Sequence, residues 1–276
     1  MIEPRIESNK LRLYFQRRPC MDLRLPECAE PDPPHADFPN NWGGYSDVLH
    51  VDFKIPSEHT INGARFDGEM QIYHIHPVRR RTPTVVSVMK VSRFAYNTVL
   101  QGVLDRFQFV YNIHRAQCAN YVRRNRRLVS KVHRILGGNT TSRYADYDTW
   151  ADFSTELDGP DGPNMTERNL QQFGFFNPHD ERLVPSIHFF GYKGSLTEPP
   201  CSEFVSWFIT DEPMRIGHVQ LEQMKRILFT HVTPTCEPTS VHWRQSVARP
   251  IQDSFGRPVF RCTQHDFLAD AERFVT

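Results

Sequence analysis

The chain has 276 residues, enough for one large domain, and its 39% hydrophobic residues support a folded core and exclude an intrinsically disordered chain. Its 33 Lys and Arg residues are balanced by 32 Asp and Glu residues, and the net charge of +1 argues against nucleic-acid binding by the molecule as a whole. The sequence contains no run of 18 apolar residues, so we expect no transmembrane span.

Short strands are predicted in the first third of the chain by alternating hydrophobicity and β-branched residues. These strands cover residues 9–15, about 48–55, about 65–76 and 84–91. The last one is almost entirely apolar or β-branched, which is typical of a buried central strand. Residues 16–43 contain six Pro and two Cys, and we interpret them as a long irregular segment.

A helix is predicted between about residues 97 and 136, where apolar residues recur at helical spacing until Gly137 and Gly138 end the pattern. The second half of this helix contains no acidic residue and carries seven cations: Arg115, Arg123, Arg124, Arg126, Arg127, Lys131 and Arg134. Residues 139–166 are polar and rich in Gly and Pro, which predicts a loop.

Strands are predicted again at about 187–192 and 203–210, followed by a short helix near 218–228. A Pro-rich tail begins at about residue 234, and we expect it to wrap around the outside of the domain. Short strands separated by turns, with one long helical block, predict a mainly β domain.

Two segments are distinctive enough to suggest a family. The first runs from Pro56 to Gly63 and reads Pro-Ser-Glu-His-Thr-Ile-Asn-Gly, and a strand-like segment, Phe66 to His74, follows it. The second runs from Gly194 to Glu203 and reads Gly-Ser-Leu-Thr-Glu-Pro-Pro-Cys-Ser-Glu. These segments resemble the Ser-Glu-His-Thr turn and the signature loop of the α-class carbonic anhydrases, and the resemblance covers about residues 9–91 and 175–255.

The resemblance implies a fold and a domain organisation. We expect a mainly β, α-carbonic anhydrase-like domain, with a twisted, largely antiparallel central sheet and peripheral helices. Residues 1–276 would form this single domain, without the first segment that the family usually has. Residues 97–170, the basic helix plus the following loop, have no match in the resemblance and are interpreted as an insertion.

The resemblance also implies a zinc ion held by three His, whose bound hydroxide attacks CO2. The three ligand positions of the family correspond to Asp52, Lys54 and Gln71 in this sequence, and none of them is His. A protonated Lys has no lone pair to donate, and a Gln amide oxygen is a poor zinc ligand. The sequence therefore predicts a carbonic anhydrase-related protein without zinc or other cofactor and without CO2 hydratase activity, which acts as a structural or interaction module.

Other positions of the family's site match this chain and are expected to surround the degenerate ligand positions. They are Glu58 and Thr197, which would orient the zinc-bound hydroxide, the His-orienting Glu69, and the pocket residues Leu196 and Trp207. Tyr73 is expected to face the pocket and partly fill it. Lys54 is expected to stand in for the charge of the metal, paired with Asp52 or Glu69.

An alternative from a different class is an active, metal-dependent carbonic anhydrase with rearranged ligands. His50 and Asp52 alternate along one face of the predicted strand, and with Glu69 they would supply three donors for zinc.

The basic helix allows two interpretations. It is either a solvated face or a contact surface for an acidic partner protein, another subunit or an anionic membrane surface. The residues that would carry such contacts are Arg123, Arg124, Arg126, Arg127 and Lys131. Nucleic acid is not expected, because no aromatic residues are interleaved in a base-reading pattern.

Six cysteines leave 15 possible sets of three disulfides. Cys20 with Cys28 would close the irregular segment, and Cys236 with Cys262 would tie the tail. The family resemblance implies a bridge from Cys201 to an N-terminal cysteine, for which Cys20, Cys28 or a residue upstream could serve. Together with Asn-X-Thr sequons at Asn139 and Asn164, the cysteines slightly favour a secretory or organellar lumen, with any leader upstream.

Overall fold

One ten-stranded sheet dominates the computed structural model, which describes residues 2–15, 33–38, 45–76, 82–136, 176–254 and 256–263. The strands are β1 (Ile2–Glu7), β2 (Lys10–Phe15), β3 (His35–Ala36), β4 (Ser46–Lys54), β5 (Thr60–Ile61), β6 (Ala64–Arg65), β7 (Gly68–Ile75), β8 (Thr82–Val91), β9 (Phe189–Gly194), β10 (Val205–Thr210), β11 (Met214–Ile216) and β12 (Phe260–Cys262). The helices within these residues are α1 (Thr98–Leu136) and α2 (His218–Thr230).

The main path through the sheet is β1-β2-β4-β7-β8-β10-β9-β12, with β3 also pairing to β4 and β11 to β8. All of these pairs are antiparallel except β8 with β10 and β8 with β11. Strands β5 and β6 form a small separate hairpin. This architecture confirms the predicted mainly β fold with a largely antiparallel central sheet.

Five strands were missed by the sequence analysis: β1, β3, β5, β11 and β12. Strand β1 pairs with β2 through a tight turn at Ser8 and Asn9, and its Pro4 is tolerated because β1 lies at the edge of the sheet. Strand β12 adds to the other edge, beside β9, so part of the predicted outer tail belongs to the sheet.

The main hydrophobic core lies on one face of the sheet, between the central strands and the two helices. The strands contribute alternate residues such as Val51 and Phe53, and α1 contributes Leu100, Leu104 and Phe107 at helical spacing. Each of these five side chains is fully buried. The first part of α1 is therefore an integral layer of the fold.

The structure corrects the expected disulfides. Cys118 of α1 is bonded to Cys236, with 4.9 Å between their Cα atoms, so the predicted pairing of Cys236 with Cys262 is wrong. Cys201 is a free thiol that lies 3.5 Å from Arg249 Nη1, so it is not bridged to another cysteine of this chain, and a bridge to a residue upstream stays a prediction. Spacing along the chain could not reveal a pair separated by 118 residues.

Several predictions fall on other parts of the chain. Cys20, Cys28 and the loop after α1 lie outside the described residues, and the insertion of residues 97–170 stays a prediction. Within the described residues, none of the helices has the length and hydropathy needed to cross a membrane.

Candidate functional site

The three positions predicted to correspond to the family's zinc ligands, Asp52, Lys54 and Gln71, lie on the face of the sheet opposite the main core. In the antiparallel pairing of β4 with β7, Asp52 is opposite Gln71 and Lys54 is opposite Glu69. Side chains of a strand alternate between faces, so Val51 and Phe53 point into the core while these four side chains point away from it. All four are buried. We call this side of β2, β4 and β7 the polar face; its members are Lys10, Arg12, His50, Asp52, Lys54, Glu69, Gln71 and Tyr73.

Lys54 connects the two family-like segments. Its Nζ donates hydrogen bonds to Glu58 Oε2 at 2.6 Å and to Thr197 Oγ1 at 2.7 Å. The expected partners Asp52 and Glu69 were wrong, because the turn and the signature loop lie closer to the ammonium group. The buried ammonium thus stands between Glu58 and Thr197.

Asp52 is held by Arg12 of the neighbouring strand β2. Arg12 Nε and Nη2 donate to the two carboxylate oxygens at 2.5 and 2.6 Å, a bidentate ion pair with both side chains buried. Burial alone would raise the pKa of Asp52, but the hydrogen bonds and charge of Arg12 outweigh it and lower the pKa. The sequence placed Arg12 on a strand, yet gave no sign that β2 would pair with β4.

A further ion pair fastens the signature loop to β2. Glu198 accepts hydrogen bonds from Lys10 Nζ and, at 3.1 Å, from Arg12 Nη2. Burial would raise the pKa of Glu198, whereas the two cations lower it. Neither Lys10 nor Glu198 was identified from the sequence, and a separation of 188 residues explains why.

Glu69 and Gln71 are satisfied within the site. Glu69 Oε2 accepts hydrogen bonds from the backbone N–H groups of Glu58 at 3.0 Å and His59 at 2.9 Å, and Glu69 Oε1 accepts one from Gln71 Nε2. Tyr73 donates its hydroxyl proton to Gln71 Oε1 at 2.8 Å. Burial would raise the pKa of Glu69, but its contacts with His59 lower it to about 2.

Aromatic rings pack beside these groups. The Tyr73 ring stacks on His50 with 4.5 Å between centroids and meets Trp207 edge-on at 5.8 Å. Leu196 packs against the same cluster. Burial lowers the pKa of His50 to about 4, so its imidazole is neutral at pH 7.

The donor set does not fit a zinc ion. Asp52 is engaged by Arg12, Lys54 is an ammonium group, and Gln71 offers an amide. His50 Nε2 lies 3.8 Å from Asp52 Oδ2, but Glu69 faces the turn, so the alternative set His50, Asp52 and Glu69 does not form a metal-binding group. Within the described ranges, no group of three or more His, Cys, Asp or Glu is arranged to hold a metal.

The structure describes the side chains of only two of the five residues proposed for partner binding. Arg123 and Arg124 are exposed on α1. Arg126, Arg127 and Lys131 lie in the last turns of α1, where the description covers the backbone alone.

Comparison with known proteins gives a consistent set of relatives. Residues 136–263 match the sequence model of the eukaryotic-type carbonic anhydrases. The chain is 35% identical over 104 residues to human mitochondrial carbonic anhydrase 5B, covering 37% of this chain and 31% of that protein. It is 26% identical over 236 residues to putative carbonic anhydrase 2 of Lottia gigantea, covering 74% of this chain and 48% of that protein. The chain thus spans less than half the length of these curated relatives.

Solved structures share the fold at low sequence identity. An α-carbonic anhydrase from Thermovibrio ammonificans, in complex with sulfanilamide, superposes with a TM-score of 0.52 and 16% identity, covering 94% of this chain and 74% of that one. Dioscorin complexed with ascorbate superposes with a TM-score of 0.54 and 16% identity, covering 94% and 73%.

Proposed function

The chain belongs to the α-class carbonic anhydrase family, and we propose that it is a carbonic anhydrase-related protein that binds no catalytic zinc, lacks CO2 hydratase activity and serves as a structural or interaction module. The observation that carries this proposal is the Lys54 ammonium group, buried between Glu58 and Thr197.

Electrostatics supports the proposal. At about 4 Å and an effective dielectric constant of about 20, two unit charges interact by about 4 kcal/mol, so a dication beside Lys54 would meet a repulsion of about 8 kcal/mol. The remaining donors offer little compensation, because Asp52 would first have to leave Arg12. A zinc ion bound as in the family would therefore need both ion pairs to be broken.

Packing supports it as well. The family places CO2 in an apolar pocket beside the metal, and here the Tyr73 phenol occupies the pocket face, in contact with His50 and Trp207. Its hydroxyl is committed to Gln71. Substrate would compete with a buried aromatic ring for this space.

The first test is metal analysis and CO2 hydration of the chain purified without reductant. We expect far less than one zinc per chain and hydration at the uncatalysed rate, with or without a sulfonamide. One zinc per chain together with sulfonamide-sensitive hydration would reject the proposal in favour of an active enzyme.

The second test restores the imidazoles. We expect Asp52→His, Lys54→His and Gln71→His, combined with Arg12→Gln so that no buried guanidinium loses its partner, to create a zinc site. The matched control keeps Lys54 and carries the other three substitutions. Equal zinc affinity of the two variants would show that the ammonium is not what excludes the metal.

For the interaction role, we propose the basic second half of α1 as the contact surface. Support comes from its seven cations without an acid and from the exposure of Arg123 and Arg124. The test replaces Arg123, Arg124, Arg126 and Arg127 with Glu and measures the oligomeric state and the binding to anionic and neutral vesicles. Unchanged assembly and unchanged vesicle binding would remove this surface from consideration.

A further inference from the structure

Helix α1 lies beside the last residue of α2 and the chain segment that follows it, and three contacts join α1 to this stretch in the same order along both. The Tyr111 hydroxyl lies 2.8 Å from Thr230 Oγ1, and His114 Nδ1 lies 2.9 Å from His231 Nε2. The Cys118–Cys236 disulfide follows. We call the four residues His114, Cys118, His231 and Cys236 the clamp.

The clamp combines two imidazoles with two cysteine sulfurs. His114 and Cys118 are four positions apart on α1, so they lie one above the other on the same face of the helix. His231 and Cys236 lie on a loop closed by a backbone hydrogen bond from Thr239 N–H to the His231 carbonyl at 3.1 Å. Two histidines and two cysteines are one of the donor sets of structural zinc sites.

The His231 ring is oriented toward His114. His231 Nδ1 lies 2.7 Å from Thr239 Oγ1, a hydrogen bond that orients the ring with Nε2 toward His114. The two facing ring nitrogens share a single N–H at the contact.

We propose that the reduced clamp binds one zinc ion through His114 Nδ1, His231 Nε2 and the sulfurs of Cys118 and Cys236. The contact between α1 and the segment after α2 then exists in two forms, one closed by a disulfide and one closed by a metal. This site is independent of the proposed loss of the catalytic zinc, since it shares no residue with the polar face.

The chemistry balances with an external dithiol as reductant. The dithiol gives two electrons and two protons to the Cys118–Cys236 disulfide and becomes a disulfide itself, leaving two thiols. Zinc then displaces one proton from each thiol to water, and the two imidazoles complete a tetrahedral site. In the disulfide form only the two imidazoles remain as donors, in agreement with the lack of a three-donor group among the described residues.

Within each of the two ligand pairs, the required movement is small. With zinc–nitrogen distances of about 2.05 Å, two nitrogens of a tetrahedral site lie about 3.4 Å apart, so the His114 and His231 nitrogens would separate by about 0.5 Å. Two sulfurs at about 2.3 Å from zinc lie about 3.8 Å apart. Rotation about the Cα–Cβ bonds of Cys118 and Cys236, whose Cα atoms are 4.9 Å apart, supplies that separation.

The test is a Co2+ titration of the full chain, reduced with a phosphine, which does not itself supply thiolate ligands. We expect one Co2+ per chain, with the visible absorption of a tetrahedral ion and thiolate-to-cobalt charge transfer, and zinc should displace it. The unreduced chain should give neither signal. His114→Gln and His231→Gln should each weaken Co2+ binding at least tenfold, while His218→Gln, at an exposed position of α2, should not.

The other cysteines need a control, because Cys20, Cys28, Cys201 and Cys262 are also thiols after reduction. A chain with all four replaced by Ser should keep the cobalt spectrum. If that chain fails to fold, His114→Gln and His231→Gln in the natural chain show whether cobalt is bound at the clamp. No tetrahedral cobalt signal in the reduced chain, or undiminished binding by both histidine variants, would overturn the proposal. Zinc that binds only after reduction, and that His114→Gln no longer binds, would leave the proposed function intact. Zinc that binds without reduction would instead contradict the proposed function.

Discussion

The two faces of β4 are buried to a similar degree but are stabilised in opposite ways. Val51 and Phe53 pack into an apolar core shared with α1, whereas Asp52 and Lys54 are buried as charges, each with an oppositely charged partner. Apolar contacts are non-directional, so neighbouring side chains can compensate for a change of shape. A buried charge depends on one or two named partners, and its loss leaves the partner without compensation.

The largest expected effect comes from breaking a pair on the polar face. Lys54→Met leaves the buried Glu58 carboxylate without its cation and should lower the free energy of unfolding by about 3–5 kcal/mol. Adding Glu58→Gln should recover much of this loss. Urea unfolding of the single and double variants measures both effects.

The matched substitution on the apolar face is Met70→Leu, at a fully buried position of β7. Because it conserves volume and polarity, it should cost less than about 1.5 kcal/mol. A cost for Lys54→Met as small as that of Met70→Leu would contradict the contrast between the two faces.

A second prediction concerns the covalent link on the helical side. Cys118→Ser with Cys236→Ser should lower the free energy of unfolding by about 2–4 kcal/mol, because the unfolded chain is no longer constrained across a long loop. Cys201→Ser removes a thiol that forms no bridge and should change stability by about 0.5 kcal/mol or less. Thermal unfolding without reductant compares the two variants, and an equal effect of both would argue against the Cys118–Cys236 bond.

Two buried groups, His74 and Glu69, should lose their contributions to stability in different pH ranges. Burial lowers the pKa of His74, on the helical side, from 6.5 to about 3, so its contribution is complete above pH 6.5 and is lost as the pH falls toward 3. The pKa of Glu69, on the polar face, falls from 4.5 to about 2, so its contribution is lost between those values. Each group changes stability by about 1.4 kcal/mol per pH unit inside its range.

The histidine variant separates these ranges. His74→Gln should reduce the slope of stability against pH between 6.5 and 3 and leave in place the part of the loss that Glu69 causes between pH 4.5 and 2. Urea midpoints at a series of pH values provide the measurement. An unchanged slope above pH 4.5 would show that the buried His74 does not control this range.

The sequence predicted the parts of the fold that depend on local pattern. The strands around Val51, Ile72 and Val86 and the helix containing Leu104 follow from alternation and helical spacing, which neighbouring residues alone determine. The family-like motifs then identified Lys54 and Gln71 as members of one site.

The missed features depend on contacts between distant segments. Arg12 could not be assigned to Asp52 because the pairing of β2 with β4 is a tertiary choice, and Lys54 was assigned the wrong partners because loop positions were unknown. The Cys118–Cys236 bond was missed because it joins a helix to a loop far away in sequence. Pattern analysis gives the face on which a residue lies, and the packing of the segments decides what that residue meets.

The smallest expected effect contrasts an exposed cation with a buried one. Arg123→Glu and Arg124→Glu change charges on the solvent side of α1 and should alter the free energy of unfolding by about 0.5 kcal/mol or less. Arg12→Gln removes a guanidinium of similar size from the polar face and should cost about 3–5 kcal/mol, because Asp52 loses its bidentate partner. Urea unfolding of the three variants makes the comparison. A cost for the α1 variants that approaches that of Arg12→Gln would mean that the basic helix is held by ion pairs of its own, and the contact surface proposed there would have to be reassigned to the packing of the domain.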